Sequence, residues 1–309
     1  MPGLAAHAVR DTYKQKSDTK TTNARDACAP RMVRMRRLAA NGCSTMKEKL
    51  ILESALHPLD SRCVGVDEYL ADFGHLEAAE RPPAHCPICR EEVHISRMHD
   101  RARTPYFSHA AGEHAACPLV NSTLPDTKFI TIYPPDPGLE NRCRGEFIAQ
   151  WKHHLSEIRR HVPHFSVIRF TQVIAHADVL HLWSSPTLIQ EDIPYILLVL
   201  STFIAETPGA AHSTWLRFLF DASIRDPTEI RRPGSNSPHL FRLHYRASFS
   251  SMFPNARHLL DWSEVPMNGD FLHGNTPHIL MSEVFTFENF IQQSTQSKDQ
   301  PAKTHHYLE

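Results

Sequence analysis

Glycine is scarce in this chain, with 11 in 309 residues against 22 histidines. No Gly-x-Gly-x-x-Gly turn and no Walker-type loop is present, so the backbone cradles that nucleotide enzymes use for phosphate are missing. A Gly-x-Ser-x-Gly elbow and a His-Glu-x-x-His helix are missing too, which leaves the serine hydrolases and the common zinc peptidases without support. No apolar run reaches the roughly 18–20 residues of a membrane span. The most apolar run, Ile193 to Ala205, is shorter and is interrupted by Pro194, Ser201 and Thr202. Residues 1–40 have no apolar core of a secretion signal. Net charge is also lacking: the formal value is −1, so any basic surface must be local.

What is present suffices for a folded protein. Hydrophobic residues make up 41% of the sequence, enough to build one large or two modest cores. The seven cysteines are an odd number, and Cys28, Cys43, Cys63 and Cys143 are scattered singly. Without an export signal this pattern points to reduced thiols and a cytoplasmic protein, with no membrane partner. The histidine surplus has no repeated spacing and reads as compositional background. Residues 1–45 carry nine Lys or Arg against three Asp and few large apolar side chains, the pattern of an unfolded basic segment. Such an arm could touch nucleic acid, but regular patterning begins only at Met46, which is the favoured start.

The strongest signal is His85-Cys86-Pro87-Ile88-Cys89-Arg90, followed by Phe107-Ser108-His109 and then Cys117. Zinc is held by about four thiolate or imidazole ligands in a tetrahedron, and Cys-x2-Cys supplies two of them from one tight turn. The interval from Cys89 to His109 leaves room for a hairpin, with Glu91–Arg97 and Thr104–His109 as its extended arms. Cys117 would complete a Cys3His set, with His114 as its competitor. A redox dithiol would require a strand before the pair and a helix after it. The alternation after Arg90 argues against that and favours metal. Four protein ligands leave no open position, so the zinc is expected to be structural.

Cys86-Pro87-x-Cys89, Val93, an Arg-bearing turn, Tyr106-Phe107-Ser108-His109 and Cys117 resemble the N-terminal zinc-ribbon-like region of CoiA-like competence proteins. That segment reads CPxC, a hairpin, HFAH and a last Cys in the family; here Tyr106 stands for its first His and Ser108 for its Ala. The resemblance covers about 35 residues. It implies a following nuclease-like domain of restriction-endonuclease type, in which carboxylates hold Mg²⁺ or Mn²⁺ to activate water on a phosphodiester. Looked for on that basis, Glu146 opens a helix and Asp178 lies in His176-Ala177-Asp178-Val179. Glu191, beside Gln190, replaces an acid that is missing from Ile196–Ser201. The carboxylate set is incomplete, and the implied nuclease is expected to be degenerate.

The expected architecture is α+β or α/β. A β-hairpin and zinc-ribbon-like module spans 46–120, a linker 121–140, a mixed α/β domain 141–291 and a polar tail 292–309. Within the large domain, Arg144–Val162 reads as one helix. Phe129–Tyr133, Phe165–Ile174 and Asp178–Trp183 read as strands, as do Trp215–Phe220 and Leu240–Tyr245. Glu191–Ala205 reads as a buried helix or a core strand, with Glu191, Asp192 and Pro194 as first-turn residues favouring the helix. Arg217, among aromatics, reads as a half-buried sheet position. The functional expectation is a zinc protein acting with DNA, contacting it through Arg90, Arg97, Arg101 and Arg103. The rivals are an active metal-dependent DNase using Glu146, Asp178 and Glu191, and a non-enzymatic platform for a protein partner.

Overall fold

The computed structural model describes residues 52–98, 104–110, 117, 119, 134–206, 214–222, 224, 230, 239–247, 254 and 258–299. They form a mixed α+β protein with two antiparallel sheets and six helices. None of these helices is long and apolar enough to cross a membrane.

The first sheet has the order β2-β1-β3-β4-β5, with β1 Ser54–Leu56, β2 Cys63–Gly65, β3 Ala84–His85, β4 Glu92–Ser96 and β5 Tyr106–Ser108. The alternating segment and the aromatic segment pair as expected, with Ile95 opposite Phe107. Leu52 exchanges two backbone hydrogen bonds with Phe107, at 3.2 and 2.9 Å, so β5 curls back to the start of β1. Helix α1, Val66–Phe73, crosses this sheet and buries Val66, Tyr69 and Phe73. The module expected over 46–120 is all β, so this helix is a departure from it.

The larger sheet has the order β6-β7-β8-β9, formed by Phe203–Ala205, Trp215–Phe220, Leu240–Tyr245 and Leu259–Val265. Its two faces have different partners, because successive side chains of a strand point to opposite sides. Leu216, Phe218 and Phe220 of β7 join the helical core, while Trp215 and Leu219 pack with the residues of the small sheet. Phe241, Leu243 and Tyr245 of β8, and Leu259 and Trp262 of β9, lie in that second core as well. The structure is therefore three layers: helices, large sheet, small sheet.

The helical layer differs from the expectation in several places. The linker expected over 121–140 is helical from Pro137 onward. Asp136 Oδ1 accepts from the backbone N–H groups of Gly138 and Leu139, both at 3.0 Å, and caps helix α2, Pro137–Ala149. The single helix expected over Arg144–Val162 is broken at Gln150, and α3 runs from Trp151 to His161. Phe165–Ile174 is not a strand but part of α4, Val167–Val179, capped by Ser166 Oγ on the Arg169 N–H at 3.1 Å. Val167, Phe170, Ile174 and Ala177 form its buried helical stripe. Asp178–Trp183 is likewise the end of α4 followed by a 3-10 turn, Leu182–Ser184. Helix α5, Ile193–Leu200, is buried on every side, as its unbroken apolar sequence requires. The last helix, α6, runs from Met281 to Asp299, well into the expected polar tail, and stacks Phe287 on Trp151 with ring centroids 4.2 Å apart. The expected strand Phe129–Tyr133 lies outside the described residues.

Candidate metal centre

Four residues converge where the small sheet meets the large one. The turn from β3 to β4 is closed by two backbone hydrogen bonds, Cys86 N–H to Glu91 O at 2.8 Å and Arg90 N–H to Cys86 O at 2.9 Å. Arg90 closes it in the left-handed region, at φ 62°. This geometry brings the Cys86 and Cys89 thiols to one side. His109 follows β5 directly, and its Nε2 lies 3.2 Å from Cys89 Sγ. Cys117 supplies the fourth donor, and all four donor atoms lie within 4.8 Å of one another. Donors about 2.0–2.3 Å from a shared tetrahedral centre would sit roughly 3.3–3.8 Å apart, so the quartet fits zinc with small adjustments. Among the described residues no other group of three or more His, Cys, Asp or Glu converges in this way. The competing ligand His114 lies outside the described residues.

The centre is largely withdrawn from solvent. Cys86 and Cys117 are 0% and 1% exposed, His109 is buried and Cys89 is half-buried. Thiol hydrogen bonds from Cys117 and Cys86, helped by His109, hold Cys89 far below the usual thiol range in spite of its burial. Burial, together with the same thiol contacts, pushes Cys86 well up. Cys117 is opposed by its bond with Cys86 but is raised by Cys89 and burial to about 12. Three sulfurs are thus close enough to trade protons, a crowding that a divalent cation resolves by taking all three as thiolates.

The turn that carries the thiols is also a docking element. Ile88 O accepts from the Ala222 N–H at 2.9 Å, and Arg90 Nη2 donates to Asp221 Oδ2 at 2.9 Å. Asp221, whose side chain is fully buried, also accepts from the His239 N–H at 2.8 Å. Arg90 is therefore tied to the large sheet and does not serve as a free phosphate contact. Arg97 lies with its guanidinium 5.4 Å from the centre of the Tyr106 ring. Arg101 and Arg103 lie outside the described residues. Asp221 carried no sequence signal of its own, since its role depends on an arginine 131 positions away.

The carboxylates expected to hold a second metal are not brought together. Glu146 is exposed on α2, with Gln190 Nε2 at 3.5 Å. Glu191 sits in the 3-10 turn Gln190–Asp192. Asp178 is on a helix end, not on a strand, and both its oxygens are taken. Arg144 Nε and Nη2 donate to Oδ1 and Oδ2 at 2.8 and 3.0 Å, and the Trp183 indole N–H donates to Oδ1 at 2.6 Å. Nor do His153 and His154 act as a pair: His153 Nδ1 meets Phe271 O at 3.1 Å, while His154 is fully buried.

His154 has a stability consequence. It packs against Phe147 with Gln190 as its polar neighbour, and neither ring nitrogen completes a hydrogen bond among the described residues. Burial first of all pulls its pKa down to about 3. Below the unfolded value of about 6.5 the unfolded chain takes a proton that the folded chain refuses, so stability falls as pH drops from about 6.5 towards 3. The slope from this residue is about 1.4 kcal/mol per pH unit. His154→Phe is expected to be about 2 kcal/mol less acid-sensitive than wild type between pH 6.5 and pH 5, in urea unfolding at each pH. Parallel pH profiles for the two proteins would reject this assignment.

Compared with known proteins, the chain matches no family model, no curated protein and no solved structure.

Proposed function

We propose that this chain is a zinc-binding protein whose ion is structural and ties the β3–β4 turn, which docks on the large sheet, to His109 and Cys117 beyond β5. One observation carries the reading: a buried Cys3His quartet, complete with four donors, placed on the turn that docks against β7 and β8. Three thiolates and one imidazole in a tetrahedral set suit zinc better than the hard cations, which take oxygen ligands. With four protein donors no position is left for water or substrate, so the chemistry supplied by the ion is cross-linking. The turn bearing Cys86 and Cys89, followed by the β4–β5 hairpin, supports the zinc-ribbon reading of this segment.

The same reading extends to DNA through the resemblance of the ligand segment to CoiA-like proteins. In that extension the helices and large sheet are a degenerate nuclease-like domain of restriction-endonuclease ancestry, acting with DNA rather than cutting it. The active DNase reading has less behind it, since Asp178 is spent on Arg144 and Trp183. Elemental analysis of protein purified without a metal-affinity step is expected to find one zinc per chain. Metal-free protein with an intact fold would overturn the zinc reading. The DNA extension predicts a fragment mobility shift that weakens steeply between low and physiological salt. No shift at low salt removes that extension and leaves the zinc reading standing.

A further inference from the structure

A cation is buried in the core that holds the thiols. Arg217 projects from β7 towards the small sheet and is 1% exposed. Its guanidinium lies 5.3 Å from the centre of the Phe203 ring, yet Nε and Nη1 have no hydrogen-bond partner among the described residues. Tyr245, its cross-strand neighbour's companion on β8, is fully buried, and its hydroxyl is likewise without a hydrogen bond among the described residues. No described carboxylate pairs with this guanidinium; the group coupled to it is Tyr245. Phe203 also holds the Tyr245 ring, with centroids 5.4 Å apart, and Tyr245 lies in the core that contains Cys86 and Cys117. Arg217 therefore faces the core in which the metal quartet sits.

Charge counting gives this arrangement a purpose. A divalent ion with three thiolates and a neutral imidazole carries one net negative charge. That centre is buried, and so is the guanidinium on the facing sheet, which has no carboxylate partner among the described residues. Each alone would be costly to keep out of water, and each offsets the other. We propose that Arg217 is the counter-cation of the metal centre, a positioning residue that matches a tri-thiolate site loaded with a divalent ion and couples loading to docking of the large sheet. This rests on the reading of Cys86, Cys89, His109 and Cys117 as zinc ligands.

The test compares zinc affinity, by competition with a chromophoric chelator, for wild type and for Arg217→Lys, Arg217→Gln and Arg217→Met. Lysine keeps the charge, whereas glutamine and methionine remove it at similar length. The glutamine and methionine variants are expected to bind zinc roughly 10–100-fold more weakly, the range for groups just outside a metal's ligands, with lysine close to wild type. The cobalt-substituted proteins supply a second readout, since the thiolate-to-cobalt absorption band should move in the two neutral variants and not in the lysine variant. Equal affinities across all four proteins would overturn the proposal. So would equal weakening or misfolding of all three variants, lysine included, because shape rather than charge would then be at work. Wild type that binds no zinc removes the underlying reading instead, which separates the two failures.

Discussion

Cys86→Ser, or exhaustive chelation of wild type, is expected to dismantle the small sheet and to uncover the face of the large sheet beneath it. Cys86 is fully buried at the end of β3 and begins the turn that docks on Ala222 and Asp221. The core around it is small and shared, with Val64, Tyr69, Ala84, Val93 and Phe107 on one side and Phe241, Leu243 and Trp262 on the other. Structural zinc contributes about 10–16 kcal/mol in small domains, as much as the whole net stability of an ordinary one. Its loss also leaves crowded, buried thiols in the core towards which the Arg217 guanidinium projects. The expected signs are limited proteolysis within residues 52–98, binding of a hydrophobic dye, and a red shift in tryptophan emission as Trp215 and Trp262 lose their cover. Trp151 and Trp183 belong to the separate helical core and should shift less. An unchanged unfolding midpoint and protease pattern after complete zinc removal would sink the structural role.

The metal quartet was legible because its signal is local and chemical. Two thiols three positions apart need one turn, and the alternation from Glu91 to Arg97 and the Tyr106-Phe107 pair fix a hairpin that returns to them. The strands Trp215–Phe220 and Leu240–Tyr245 are readable from apolar patterning, whereas the helix at Ile193 is favoured over a core strand only by Glu191, Asp192 and Pro194 as first-turn residues, and the end of that span, Phe203–Ala205, is a strand instead. Phe165–Ile174 was misread because Val, Ile, Phe and Thr suggest a strand. Their burial follows positions 167, 170, 174 and 177, a helical stripe that decides the matter once α5 and α6 pack against it. Arg217 is buried rather than half-buried, since alternation tells which face a residue occupies but not that both faces of the sheet are covered. The partner of Arg90 is not visible in the sequence, because Asp221, just after β7, is 131 positions away. The acids at 146, 178 and 191 looked like a set only under the resemblance. Sequence order does not say where the helix ends carrying them will lie.

Asp178 offers the sharpest separation between the structural and the catalytic reading of the large domain. Its carboxylate accepts a two-pronged donation from Arg144, reached from α2 to the end of α4, and a third bond from Trp183, which is 1% exposed. The Arg144 side chain is 10% exposed and that of Asp178 24%, so the pair is largely but not wholly withdrawn from water. Removing one partner of a buried pair costs about 3–5 kcal/mol, and the partial exposure of Asp178 puts the expected loss at the low end, about 3 kcal/mol. Asp178→Ala should therefore lower the urea midpoint clearly, while Asp178→Asn, which keeps an acceptor for the Trp183 N–H, should lose less. The double change Arg144→Met with Asp178→Leu should recover much of the stability, because an apolar pair leaves no stranded charge. A metal-dependent nuclease predicts the opposite pattern. Asp178→Ala would then keep the wild-type midpoint and abolish Mn²⁺-dependent cleavage of linear or single-stranded DNA. Measuring midpoint and cleavage on the same preparations decides between an anchor that joins two helices and a ligand that holds a reactive ion.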